Sequence, residues 1–211
     1  MANRDNHYEA AFEAYLRCRG VPYVAVDEAR RTLMADGRSI KSLDFIVSAP
    51  VAVSWLVDVK GRRFPSGSED RGNPQYWKNW STRDDLWSLA RWEQLFGDAF
   101  RGLLVFAYDV LGARAPVAAD RLFQFRDNLY GFVGVPLADY ASHARPISTA
   151  WDTVAMGARD FRRLARPMEH WLTAAAGAMP ARAESLDLDR LFPEGAQFHG
   201  AVEGWTPDDD F

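Results

Sequence analysis

Two strand-like apolar runs, residues 43–49 and 54–61, carry charged groups in their middles: Asp44 in the first, Asp58 and Lys60 in the second. Burying a carboxylate or an ammonium costs several kcal/mol unless the group is paired or coordinates a metal, so three such interruptions need a common explanation. Side chains alternate along a strand, which puts Asp58 and Lys60 on one face and Val59 on the other. The runs are close together and joined through Pro50, so an antiparallel hairpin is expected, in which Asp44 reaches the face of Asp58. Two carboxylates and the Val59 carbonyl make a hard-oxygen site of the kind magnesium takes while keeping several waters. An ammonium at Lys60 beside such a cation can orient or deprotonate a water and offset charge on a phosphate. The pattern D-x-K alone also fits an exposed strand face or a single ion pair.

Residues 7–19 read as an amphipathic helix, with Tyr8, Phe12, Tyr15 and Leu16 at helical spacing and Gly20 and Pro22 as the stop. Glu9 and Glu13 lie four apart and share a face next to that stripe, which brings at least one carboxylate to the edge of the proposed site. A short strand is expected over 21–26 and a charged, partly helical connector over 27–38. Residues 62–81, rich in glycine, proline and serine, read as a long irregular loop. Thr82 with Asp85 forms a capping-box pattern opening a helix that ends at Gly97. Residues 102–110 are nearly all apolar and suit a strand covered on both faces. A hairpin is expected over 122–125 and 130–135, then a short helix over 138–144, a strand over 153–156 and a helix over 158–175 interrupted at Pro167. The order is that of an α/β chain with a mixed sheet rather than a repeated βαβ series.

The chain has 211 residues, of which 48% are hydrophobic, enough to bury a sizeable core. Residues 1–182 are expected to form a single domain, with a core over 7–110 and an extension over 111–182. The formal net charge of −4 hides an asymmetry: residues 183–211 hold eight acidic residues and one basic, leaving 24 basic against 21 acidic in 1–182. The folded part is thus mildly basic and tolerant of a polyanion, while 183–211 reads as an acidic tail. No long apolar run and no secretory leader is evident, so no membrane association and a cytoplasmic location are expected. The single cysteine, Cys18, reads as a buried helix thiol, and the four histidines show no zinc spacing.

Glu9 on a first helix closed by Gly20, Asp44 in Ser42-Leu43-Asp44-Phe45-Ile46-Val47, Asp58-Val59-Lys60 on the next strand, and a helix carrying Gln94 before a buried strand together resemble the PD-(D/E)XK nuclease superfamily. Within it the pattern is most similar to the Holliday-junction resolvase-like members. The opening His7-Tyr8-Glu9-Ala10-Ala11-Phe12-Glu13 is similar to the motif that names the uncharacterised HYExAFE proteins. Leu43 stands where the superfamily motif has proline, and Asp58 where glutamate is commoner.

The resemblance implies a restriction-endonuclease-like core (α-β-β-β-α-β, a mixed sheet flanked by helices), here with a C-terminal α+β extension. It implies a magnesium- or manganese-dependent endonuclease acting on nucleic acid, DNA above all and branched or repair intermediates among its forms, commonly as a homodimer. Glu9, Asp44, Asp58 and the Val59 carbonyl would hold metal, with Glu13 the second candidate for the helix acid, and Lys60 would serve the nucleophilic water. Arg62 and Arg63 could hold flanking phosphates, Trp77 and Lys78 could contact bases and backbone, and Gln94 could reach the site. A non-catalytic binding or scaffold protein retaining the same fold is the alternative.

Overall fold

The structure is a computed structural model describing residues 6–26, 32–33, 39–48, 53–66, 75–148, 152–173 and 182. Its first helix, α1 (His7–Cys18), begins where the Asn6 side chain accepts the Tyr8 backbone N–H at 3.1 Å. Ala11, Phe12, Tyr15 and Leu16 form its buried stripe. Strand β1 (Tyr23–Ala25) follows, then the paired β2 (Thr32–Leu33) and β3 (Ser39–Ile40), then β4 (Phe45–Ser48) and β5 (Ser54–Phe64). β1 pairs antiparallel with β4, and β4 antiparallel with β5. A short β6 (Ser81–Thr82) leads into α2 (Arg83–Phe96), which crosses over to β7 (Phe100–Val110), parallel to β5 in register from Ser54↔Phe100 to Phe64↔Val110.

The chain beyond β7 is part of the same body. β8 (Phe123–Phe125) and β9 (Asn128–Pro136) form a hairpin, β9 pairs antiparallel with β7, and after α3 (Leu137–His143) the strands β10 (Ala144–Ser148) and β11 (Thr153–Met156) pair with each other. Then α4 (Ala158–Leu164), β12 (Arg166–Pro167) and α5 (Met168–Leu172) close the described chain. The main sheet runs β1-β4-β5-β7-β9-β12, and a second sheet runs β10-β11-β6. Helices cover both faces of the main sheet. On one side α1 and α5 pack with Phe45, Val57, Val59 and Phe132; on the other, α2, α3 and α4 pack with Leu56, Phe64, Phe106 and Val133.

Several local expectations change, each for a nonlocal reason. Residues 62–64 continue β5 instead of entering a loop, because β7 supplies backbone partners along its whole length. Residues 76–80 are irregular but fixed: the Asn79 side chain both donates to the Met156 carbonyl (3.1 Å) and accepts the Met156 N–H (2.8 Å), splicing the segment to β11. Residues 67–74, most of the 27–38 connector, and the tail over 183–211 lie outside the described residues. The interruption expected at Pro167 is present and takes the form of a strand: Arg166 and Pro167 pair with Gly134 and Val133 as β12, between two helices; residues 174–175 are likewise outside the description. Cys18 is exposed, not buried, because it lies off the stripe of Ala11, Phe12, Tyr15 and Leu16, next to the exposed Arg17. No described helix is long and apolar enough to cross a membrane.

The approach of α1 to β5 is set at one residue. A β-carbon on Gly61 would fall 2.1 Å from Cδ2 of Tyr8, so the ring lies directly on the glycine backbone. Gly61→Ala should therefore push Tyr8 and the first turn of α1 outward and destabilise the fold by about 1–3 kcal/mol, as overpacking does. Urea denaturation of the two proteins reads the difference; an unchanged midpoint would contradict this packing.

Candidate active site

The candidate site forms where β4 and β5 part. Their register ends at Phe45↔Val57, and the Asp44 N–H, one residue before it, donates to the Val57 carbonyl at 2.9 Å. Beyond that point the ladder opens. The Val59 N–H, which the next β4 carbonyl would have taken, donates instead to Oδ2 of Asp44 at 2.5 Å. A buried carboxylate thus replaces a backbone acceptor, and this fixes Asp44, only 5% exposed, against β5.

Alternation along β5 directs Leu56, Asp58, Lys60, Arg62 and Phe64 toward α2, and Val57, Val59 and Gly61 toward α1. Nζ of Lys60 lies 2.8 Å from Oδ2 of Asp58 and 3.0 Å from Oδ2 of Asp85, the N3 residue of α2. Asp85 is tightly held. Its carboxylate accepts the Thr82 N–H (3.0 Å) and the Ser81 hydroxyl (3.1 Å), and its other oxygen lies 2.9 Å from Nζ of Lys41. Asp58 is held less well: its Oδ2 is buried and accepts no well-aligned hydrogen bond, so its contact with Lys60 is an ion pair by distance alone. From the other side of the cleft comes Glu9, 6% exposed, whose Oε1 accepts from Nδ2 of Asn6.

These groups line an open cleft of about 360 Å³, completed by Ser42 and Val59. The electrostatics follow from burial. Burial pushes the Asp58 carboxyl up, a shift that Asp85 adds to and Lys60 opposes. Burial also works against the Lys60 ammonium, but Asp58 and Asp85 outweigh it and hold its pKa above the ordinary lysine range. For Asp85 burial again favours the neutral form, yet Lys60 and Lys41 prevail and draw its carboxyl well below the usual carboxylate range.

Can this set hold a cation? Among the described residues no three acidic, histidine or cysteine side chains close around one point. Magnesium does not require that, since it binds through one or two carboxylates and keeps waters. Asp44, Asp58 and Val59 share the lining of one open cleft, and two carboxylates there meet that need. The cleft lining holds four carboxylates (Glu9, Asp44, Asp58, Asp85) against two ammonium groups (Lys41, Lys60), a formal charge of −2 that one divalent cation neutralises. The donor set fits a hard divalent ion.

Of the residues singled out from sequence, Glu9, Asp44, Asp58, Val59 and Lys60 meet in this cleft. The others stand apart from it. Glu13, one turn on from Glu9, accepts from Arg17 (3.0 Å) and from the Tyr23 hydroxyl (2.9 Å). Arg62 is buried, with its guanidinium 3.7 Å from the Trp80 ring centroid and donating to the Gly61 and Trp80 carbonyls, both at 2.5 Å; it braces the 76–80 segment to β5. Trp77 packs on Phe64 and Phe161, and Lys78 is buried with its carbonyl accepting from Tyr108. Gln94 is exposed and accepts from Arg91 at 2.5 Å, while its buried neighbour Glu93 turns inward to accept the Gly102 N–H. Arg63 is exposed on the α1 side of β5.

Lys41 and Asp85 were not recognised as site residues from sequence. Asp85 was visible only as the helix cap, a role it does perform, since the Thr82–Asp85 capping box is complete. Nothing in its local pattern tells that the same carboxylate faces a lysine on β5.

The fold and cleft define a mixed α/β protein with a lysine set among carboxylates where two strands separate, an arrangement compatible with a nuclease-like core. No protein-family model matches the chain, and no curated protein matches it. Among solved structures the chain is similar to Hjc, a Holliday junction resolvase from the archaeal hyperthermophile Archaeoglobus fulgidus: 12% identity, 59% of this chain and 84% of that chain covered, TM-score 0.33.

A carboxylate whose pKa falls on folding stabilises the protein only while ionised, so the contribution of Asp85 is complete above its unfolded value near 4 and drains away as the pH drops below it. Asp58, shifted upward, acts in the opposite sense, so the informative quantity is the difference between wild type and Asp85→Asn at each pH. That difference should be largest at neutral pH and shrink below about pH 4. Urea midpoints taken along the acid limb measure it, and a gap independent of pH would rule out the ionised Asp85 described here.

Proposed function

We propose that this chain is a divalent-metal-dependent endonuclease that hydrolyses nucleic-acid phosphodiesters, with DNA as its polymer and branched or repair intermediates among its substrates. The observation that carries this reading is the gathering of Glu9, Asp44, Asp58 and Lys60 in one cleft, whose formal charge of −2 calls for a cation before a phosphate can approach.

Asp44, Asp58 and the Val59 carbonyl would hold magnesium or manganese, with Glu9 closing the acidic lining from α1. The ion, when bound, supplies Lewis acidity toward the phosphoryl oxygen and lowers the pKa of its own water. Lys60, held between Asp58 and Asp85, would orient the water and offset charge on the phosphate. Asp44 cannot swing away, because the Val59 N–H ties it to β5. Arg63, exposed three residues past Lys60, would hold a phosphate outside the cleft, whereas Arg62, Trp77, Lys78 and Gln94 contribute through packing and surface contacts. Cutting both arms of a branched substrate would take two copies, hence a homodimer.

End-labelled duplex, single-stranded and branched DNA, and the matching RNAs, incubated with the protein in magnesium, manganese or a chelator, provide the test. Cutting should require metal, and Lys60→Ala should lower its rate by about 10²–10³, the cost of removing one preorganised donor. No metal-dependent cutting of any polymer, or undiminished cutting by Lys60→Ala, would overturn the proposal.

A further inference from the structure

Lys60 has two carboxylate neighbours at almost the same distance, and they differ in how they are held. Asp85 is fixed by the Thr82 N–H, the Ser81 hydroxyl and Lys41, and β6, which presents the first two, is itself pinned to β11 through Ser81↔Val154 and Thr82↔Thr153. Asp58, by contrast, takes no aligned hydrogen bond at Oδ2. A divalent ion held by Asp58 would lie near the ammonium that sits 2.8 Å from Oδ2, and the two cations would compete for the one carboxylate.

We propose that Asp85 is the positioning residue that decides this contest: it gives the Lys60 ammonium a permanent seat, so that Asp58 can turn to the cation while the lysine stays beside it. The inference rests on the metal-binding reading above. Because the 3.0 Å contact with Asp85 already exists, the ammonium keeps an ionised partner without crossing the cleft. With Asp85 neutral, Asp58 becomes the nearer anion for Lys60, and the lysine competes with the metal for it. Lys41 holds the far oxygen of Asp85 and keeps the carboxylate turned toward β5.

The measurement is Mn²⁺ affinity of the full chain, by calorimetry or the electron-spin resonance of free Mn²⁺, in wild type, Asp85→Asn, Lys60→Met and the double variant. Asparagine keeps an acceptor for Thr82 and Ser81 but loses the charge. In the Lys60 background Asp85→Asn should weaken binding about tenfold or more, and in the Lys60→Met background by less than about threefold, the gap being the coupling through the lysine. An equal loss in both backgrounds would show Asp85 acting on the cation directly, and no loss with Lys60 present would show no role; either result overturns the inference. Should Asp85→Asn not fold, Asp85→Gln, which also completes a capping box, takes its place in the cycle. If wild type binds no Mn²⁺, the metal reading itself fails and this inference with it; binding by wild type without coupling removes the inference alone.

Discussion

The structure depends on β5 being paired along both edges, with β4 on one side and β7 on the other, while helices cover both of its faces. A strand in that position offers little water to solvate a charge, yet this one carries Asp58, Lys60 and Arg62 in alternation. Each must find a partner within the protein. Arg62 finds the Trp80 ring and two carbonyls, Lys60 finds Asp58 and Asp85, and Asp58 finds the lysine. The cleft is what remains where β4 leaves β5 and this enclosure ends. Charge burial, strand parting and a cation-sized deficit of positive charge are three aspects of one arrangement.

Much of this was legible in the chain itself. The helix over 7–18 followed from four apolar residues at helical spacing, and the hairpin from two runs close together, each broken by a charge. That Asp58 and Lys60 share a face followed from the two-residue period of a strand. The capping box of α2 was plain from Thr82 and Asp85. What escaped was information that no local pattern carries. Asp85 looks the same whether its carboxylate faces water or a lysine on another strand. Arg62, next but one to Lys60, reads as a phosphate ligand until residues 76–80 are seen to fold back on it. Glu9 and Glu13 differ only in which end of α1 lies at the parting of the strands.

The second half of the chain, read as an extension, is woven into the first. β9 lies inside the main sheet between β7 and β12, and Trp171 on α5 donates to the Gly134 carbonyl while its own carbonyl accepts from Trp55 on β5. The indole packs so closely that a β-carbon on Gly134 would fall 2.7 Å from its ring. Helix α5 therefore reports on the position of β5, the strand that bears Asp58 and Lys60.

The pairing of β6 with β11 has a consequence for the order in which the molecule is made. Synthesis runs from the N-terminus, and the strand that pins Ser81 and Thr82 is translated some seventy residues after them. While the ribosome is still adding those residues, Ser81 and Thr82 lack the strand that pairs with them, so the cleft reaches its final form only once the second half has been delivered.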